Sequence, residues 1–189
     1  GYIAGDIFYY HLKGEIYLNI ELIKEKVRLV KLSHEGKSII EIFRDLNFVI
    51  GYLDNNYPYI NETKGCNIKT TKLRAVLLNP NLCENELTEV LTHELGHVYV
   101  HPNINTFKIH EIDPVWVKDL ELEADTFASE FLLDDDVFEK YIDLSFEQLA
   151  SEVCVSLHLV MLKFNNLSDD KKKELEELYI NNYSVFNSI

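Results

Sequence analysis

The spacing of apolar residues along the chain predicts several helices and three short strands. Apolar positions three and four residues apart predict helices over residues 38–46, 84–101 and 118–133. Short apolar runs between turn-forming residues predict strands over residues 48–53, 66–71 and 74–79. Residues 1–31 mix apolar and charged positions and favour neither a helix nor a strand.

Polar capping residues and prolines divide the rest of the chain. Residues 102–117 begin with a proline and are predicted to form a loop. Ser145 and Gln148 have the spacing of a capping box, which predicts that a helix begins there. A break then separates this helix from one that ends near residue 167, and a charged helix over residues 168–179 follows.

This order of elements predicts an α+β fold, rich in helices, with a small three-stranded sheet beside the helix over residues 84–101. A chain of 189 residues is long enough for one domain with a sizeable core. Residues 37–167 are predicted to form that domain. Residues 1–36 are treated as an N-terminal extension and residues 168–189 as a helical tail.

The charge and composition restrict the classes of partner. The net charge is −14 and the pI is about 4.8, which argues against direct binding to nucleic acid or to an anionic membrane surface. No apolar run approaches the roughly 18 residues of a membrane span, and no signal peptide is recognised. The three cysteines are widely spaced, which is typical of reduced thiols rather than of disulfides or a thiolate metal site. We therefore expect a cytoplasmic protein.

The segment His93-Glu94-Leu95-Gly96-His97 has the spacing of a zinc-hydrolase motif. Residues four apart share one face of a helix, so His93 and His97 can bind the same ion. Glu94 then lies beside that ion and can take a proton from water as a general base. The alternative is a surface helix with unrelated histidines.

A catalytic zinc site has a third protein ligand, and the helix over residues 118–133 offers three acids for that role. Glu121 and Asp125 are four apart and share a face with small alanines, which would let this helix approach the histidine helix closely. We assign Glu121 as the ligand and Asp125 as an acceptor that orients a ligand histidine. Glu123 points roughly 160–200° away from Glu121 on a helix and is the weaker candidate.

The remaining histidines are given structural roles. His101 lies four residues beyond His97, but a fourth protein ligand would occupy the position that water needs, so it is predicted to support a ligand or end the helix. His110 and His158 lack a partner at ligand spacing and are predicted to be structural.

The two motifs together resemble those of the ImmA/IrrE family of zinc metallopeptidases. Residues 92–101 contain the histidine motif, and residues 121–133 read Glu-Leu-Glu-Ala-Asp-Thr-Phe-Ala-Ser-Glu-Phe-Leu-Leu, close to the second family pattern. The resemblance covers about residues 37–167. One departure is Asp134-Asp135, where the family often has Met-Pro.

The resemblance implies a minigluzincin-like peptidase domain with zinc on His93, His97 and Glu121 and with Glu94 as the base. It also implies limited proteolysis of a protein substrate, a DNA-binding helix-turn-helix repressor, in a phage, mobile-element or stress-response switch. The strand over residues 74–78 is a candidate for pairing with an extended substrate. Two alternatives stay open: a noncatalytic interaction module that keeps a zinc site, and a hydrolase acting on a small molecule. The sequence does not determine the oligomeric state.

Overall fold

The computed structural model describes residues 19–186, apart from the side chains of residue 110 and of residues 180–186. Three strands and eight α-helices are present in this part of the chain. The strands are β1 (Val49–Tyr52), β2 (Gly65–Lys69) and β3 (Arg74–Leu78). The helices are α1 (Ile20–Ser33), α2 (Ile39–Asp45), α3 (Glu84–Val100), α4 (Pro114–Leu132), α5 (Val137–Lys140), α6 (Phe146–Glu152), α7 (Leu157–Asn165) and α8 (Asp169–Phe186). The predicted α+β class, rich in helices with a small three-stranded sheet, is confirmed.

The strand order is β1-β3-β2, with β3 parallel to β1 and antiparallel to β2. Both edges of β3 are therefore hydrogen-bonded within the sheet. The sequence-based suggestion that residues 74–78 pair with a substrate is wrong, because a central strand has no free edge to offer. The sheet packs on α3 through β2 and β3.

Helix α1 lies in the segment that the apolar pattern left unassigned. Its buried residues, Ile23, Val27 and Val30, have helical spacing, but exposed Leu22 and Leu29 blur the pattern. These buried side chains belong to the same apolar cluster as α2, the sheet, α3 and α4. The predicted boundary between an N-terminal extension and the domain at residue 36 stays a prediction. Residues 1–18 of the predicted extension and residues 187–189 of the predicted tail lie outside the described residues.

Helix α4 begins one turn earlier than the sequence predicts. The Asp113 side chain accepts a hydrogen bond from the Val115 N–H, and Pro114 occupies the first helical turn. Proline suits that position because the first N–H groups of a helix have no partner inside it. The predicted loop over residues 102–117 also contains a 3₁₀ segment at Thr106–Glu111. The loop prediction is therefore only partly right.

The packing of α3 against α4 depends on Gly96. A Cβ at this position would lie 3.0 Å from the carbonyl oxygen and 3.1 Å from the Cα of Ala124. Both atoms belong to the backbone of α4, and Ala124 itself is fully buried. The absent side chain at Gly96 and the small one at Ala124 therefore set the distance between the two helices.

A second apolar cluster lies beneath α5–α8, and a buried ion pair joins it to α4. Lys163 on α7 is almost fully buried, and its Nζ lies 2.5 Å from Glu130 Oε2 and 2.8 Å from Asp135 Oδ1. On the same pair of helices, Ser129 Oγ donates a hydrogen bond to the Leu159 carbonyl at 2.9 Å. These polar contacts fix α7 against the helix that carries the predicted third ligand.

We expect Gly96→Ala to lower the free energy of unfolding by about 1–2 kcal/mol. Because the new methyl would meet backbone atoms that cannot rotate away, overpacking should cost about 2–3 kcal/mol, whereas the better helix propensity of alanine returns about 1 kcal/mol. Chemical denaturation measures the difference. The control is Gly51→Ala, whose new methyl would meet only the flexible end of Leu77 at 3.3 Å and should cause no loss. Equal stability of wild type and Gly96→Ala would contradict the packing argument.

Replacing Lys163 by Met should destabilise the protein by about 3–5 kcal/mol, because Glu130 is left buried without a countercharge. The double variant Lys163→Met, Glu130→Leu should recover most of this loss. Lys108→Met is the control, since Lys108 pairs with Glu111 at the surface and should change stability by less than about 1 kcal/mol. Thermal or urea unfolding provides the measurement, and a double variant as unstable as the single one would count against this account.

Candidate metal centre

Three side chains from α3 and α4 converge on one point. His93 Nε2 and His97 Nε2 are 3.1 Å apart, and the Glu121 carboxylate lies 3.3 Å from the first and 3.4 Å from the second. Their ligand atoms all lie within 4.8 Å of one another, which forms a group of metal-binding type among the described residues. The structure thus brings together the three predicted ligands, and their role in binding a metal stays a prediction.

Each of these two histidines also contacts another side chain through its Nδ1 atom. His93 Nδ1 lies 2.7 Å from Asp125 Oδ1. His97 Nδ1 lies 3.0 Å from His101 Nδ1, and His101 Nε2 lies 2.6 Å from Glu123 Oε2. Such partners fix the orientation of an imidazole and the nitrogen that carries its proton.

These contacts determine the tautomers. Carboxylates only accept hydrogen bonds, so His93 donates from Nδ1 to Asp125 and His101 donates from Nε2 to Glu123. Burial lowers the pKa of His101, with Glu123 opposing it, so this ring is neutral at neutral pH and its Nδ1 is an acceptor. His97 must therefore donate from Nδ1. In both ligand histidines the lone pair then lies on Nε2, which faces the Glu121 carboxylate.

Two lone pairs and a carboxylate at this separation repel one another unless a cation lies among them. Burial alone would lower the pKa of His93, but its hydrogen bonds to Asp125 and Glu121 outweigh burial and raise the pKa to about 10. Burial likewise opposes ionisation of Glu121, yet the neighbouring His93 and His97 rings outweigh burial and hold the pKa of Glu121 well below its usual value. Two imidazoles and one carboxylate are donors that suit zinc, so the residues present fit a divalent metal ion.

Glu94 lies on the same turn as His93 but is held by different elements. Its side chain is buried, and Oε2 accepts hydrogen bonds from Asn67 Nδ2 at 2.9 Å and from Thr106 Oγ1 at 3.2 Å. Thr106 Oγ1 in turn accepts from the Asn67 N–H at 2.6 Å. No described residue donates to Oε1, so this oxygen is available to a water molecule or substrate.

Two of these partners were missed by the sequence reasoning. Asn67 lies in β2 between Cys66 and Ile68, and asparagine is disfavoured in strands, so a polar residue there was the available signal. Thr106 lies in the predicted loop, and nothing local in the sequence distinguishes it.

The end of α3 is also held by a lysine that the sequence reasoning did not consider. Lys69 Nζ lies 3.4 Å from the carbonyl oxygens of His97, His101 and Pro102. A cation here interacts favourably with the negative end of the helix dipole. Burial lowers the pKa of Lys69 to about 8, with nearby Arg74 acting in the same direction and Glu94 in the opposite one.

The remaining acid and histidines considered in the sequence lie outside the convergent group or outside the described side chains. Glu123 contacts His101 and not the ligand group, and His101 ends α3 as its C-cap. His158 lies 3.0 Å from Asp125 Oδ2, so it belongs to the surroundings of the site despite its lack of paired spacing. The side chain of His110 lies outside the described residues.

The convergent group opens into a cavity of about 570 Å³. One wall is aromatic: the rings of Tyr57 and Phe107 stack with centroids 5.7 Å apart, and Tyr59 packs edge-on against Tyr57 at 5.8 Å. Glu94, His93 and His97 line the same cavity. A cavity of this size and mixed lining is large enough for several residues of an extended peptide.

Comparison with known proteins identifies the family. The family model described as Peptidase M78, IrrE N-terminal-like domain, matches residues 60–176. The chain belongs to this metallopeptidase family. The matched range contains His93, Glu94, His97 and Glu121, and the ImmA/IrrE resemblance inferred from the two motifs is confirmed.

Two relatives come from Bacillus and one of its phages. The chain is 33% identical over 133 residues to "Metallopeptidase ImmA" of Bacillus subtilis strain 168, covering 68% of this chain and 76% of the relative. It is 42% identical over 71 residues to "Uncharacterized immunity region protein 2" of Bacillus phage phi105, covering 38% of this chain and 45% of the relative. This chain therefore spans less than half the length of the phage protein.

No described helix has both the length and the apolar character that crossing a bilayer requires. The cytoplasmic location stays a prediction.

The contacts of Glu123 and His101 predict that both residues raise metal affinity. Glu123→Ala removes the acceptor that fixes the His101 tautomer and, through it, His97, so zinc affinity should fall about 10- to 100-fold. Glu123→Gln keeps a carbonyl acceptor and should retain most of the affinity. Competition with a chromophoric chelator measures the dissociation constant.

Glu111→Gln is the control for this experiment, because Glu111 is an exposed acid whose side chain pairs with Lys108. It should bind zinc as wild type does. Wild-type affinity in Glu123→Ala would mean that the chain of contacts to His97 has no influence on the metal.

Proposed function

We propose that this chain is a zinc-dependent endopeptidase that hydrolyses a peptide bond of a protein substrate. The observation that carries the proposal is the convergence of the His93, His97 and Glu121 ligand atoms beside the buried Glu94 carboxylate. Zinc suits this donor set best, although Mn²⁺ and Co²⁺ accept the same ligands. When bound, the metal ion supplies Lewis acidity that lowers the pKa of water and polarises a carbonyl oxygen.

In the proposed reaction Glu94 accepts a proton from the attacking water through Oε1. Asn67 and Thr106 hold Oε2, so the carboxylate keeps a fixed orientation while Oε1 exchanges protons. The water oxygen forms a bond to the carbonyl carbon, and the electron pair of the carbonyl π bond moves to its oxygen. The electron pair on that oxygen then re-forms the carbonyl π bond as the carbon–nitrogen bond breaks, with its electron pair leaving on nitrogen. Glu94 passes the proton to this nitrogen, which returns the carboxylate to its starting state.

We further propose that the substrate is a DNA-binding repressor of the helix-turn-helix type. The name of the phage relative, which refers to an immunity region, supports a role in a phage or mobile-element switch. The charge of −14 favours a basic protein partner over direct contact with nucleic acid. A substrate of this kind acts in the cytoplasm, where we expect the peptidase to act as well.

Two other functions make different predictions. A noncatalytic interaction module with a structural metal has no use for a buried carboxylate held beside the ligands, so the contacts of Glu94 favour the enzyme. A hydrolase of small amides has no need of a cavity wall of three aromatic residues, and it would act on amide substrates without a peptide chain.

The decisive variant is Glu94→Gln. Glutamine can still accept hydrogen bonds from Asn67 and Thr106 but cannot take a proton from water, so the cleavage rate should fall at least about 100-fold while zinc content is unchanged. The substrates are the repressor-like protein encoded nearest to this gene and a degenerate peptide library, with products analysed by mass spectrometry.

Glu152→Gln is the matched control, because Glu152 is an exposed acid on α6, and it should cleave as wild type does. If zinc-loaded wild type and Glu94→Gln leave all substrates equally intact, the peptidase proposal fails and the interaction module becomes the better explanation.

A further inference from the structure

His158 borders the same cavity as the convergent metal-binding group. It lies in the first turn of α7, and its side chain is 60% exposed. The cavity that it lines also contains both ligand histidines, Glu94 and Glu121. Its position is therefore open to a molecule that binds next to the metal.

Asp125 connects His158 with one of the ligand histidines. Its Oδ1 accepts a hydrogen bond from His93 at 2.7 Å, and its Oδ2 lies 3.0 Å from His158 Nε2. One ionised carboxylate thus positions a ligand ring and a second imidazole beside it.

This arrangement leaves one nitrogen of His158 for a ligand. A carboxylate only accepts, so His158 Nε2 carries a proton that it donates to Asp125. The other nitrogen, Nδ1, lies on a different edge of the ring. No hydrogen-bond partner for Nδ1 occurs among the side chains and backbone groups that the structure describes.

We propose that His158 is a catalytic residue that donates a hydrogen bond from Nδ1 to the carbonyl oxygen of the scissile peptide as that oxygen gains negative charge. This inference rests on the proposed peptidase function. The donation requires protons on both ring nitrogens, and the Asp125 carboxylate compensates the positive charge of that form. The His158 proton stays on Nδ1 throughout, so His158 stabilises charge while Glu94 carries the transferred proton.

A simpler role for His158 is to support Asp125 and, through it, His93. The two roles predict different measurements. Support of His93 changes the affinity for the metal, and an excess of metal restores the activity. Contact with the carbonyl oxygen changes the turnover number and the binding of inhibitors that imitate the tetrahedral state, while metal affinity stays the same.

The test compares zinc-loaded wild type with His158→Ala and His158→Gln on a library peptide that the wild type cleaves. We expect His158→Ala to lower kcat about 100-fold, as the loss of one oxyanion donor does, and to leave KM and the zinc dissociation constant within about 3-fold. His158→Gln retains a neutral donor and should recover about 10-fold of this loss. Met161→Ala, an exposed residue on the same helix, is the control and should match wild type.

A phosphinic peptide with the same sequence provides a readout without turnover. Its tetrahedral anion should bind His158→Ala about 100-fold more weakly than wild type, whereas the cleavage products should bind both equally. Thermal unfolding checks that the variants fold, which the exposure of His158 favours.

Three results would overturn the proposal. They are a kcat for His158→Ala within about 3-fold of wild type, a loss confined to KM, and a loss that excess zinc restores. Each of these leaves wild-type cleavage intact, so the peptidase function would survive. If wild type cleaves no substrate, the proposed function itself fails, and the assignment of His158 fails with it.

Discussion

The close approach of α3 to α4 is the constraint on which the rest of the site depends. At Gly96 any side chain would collide with the backbone of Ala124, so the two helices are nearly in backbone contact there. This distance lets a residue as short as Asp125 reach His93 at 2.7 Å. It also lets the single Glu121 carboxylate lie between two histidines on successive turns of α3. A wider separation would leave the acids of α4 in solvent.

The same geometry explains why alternate residues of α4 reach different histidines. The buried stripe of α4 runs through Leu120, Ala124 and Phe127. On a helix with 3.6 residues per turn, Glu121 lies roughly 80° to one side of that stripe and Glu123 roughly 80° to the other. Both therefore flank the face that packs on α3, although they point in nearly opposite directions relative to each other. The sequence argument that separates Glu123 from Glu121 is sound, but it does not reveal that Glu123 contacts His101.

The parts of the fold and site that could be predicted are those encoded by local spacing. The positions of the acids around a helix are enough to favour Glu121 over Glu123 as the predicted ligand. The capping box at Ser145 correctly predicts where α6 begins. Helix α1 was missed because exposed leucines hide its buried stripe, and the start of α4 was missed because Pro114 was taken as a loop residue.

Contacts between distant elements were not accessible in the same way. Asn67 and Thr106 are 27 and 12 residues from Glu94, and His158 is 33 residues from Asp125. Only the folding of β2, the 3₁₀ segment and α7 around α3 and α4 brings them together.

The predicted metal ligands and the predicted base are held by separate parts of the fold. His93 and His97 are oriented by acids of α4, directly or through His101, and α7 is fixed to that helix by the buried Lys163. Glu94 is oriented by Asn67 of the sheet and by Thr106 of the 3₁₀ segment. Because no ligand residue holds Glu94, its carboxylate keeps its direction whether or not a cation lies among the ligands. The sheet therefore contributes to the site by fixing the base, while the helix pair forms the metal-binding group.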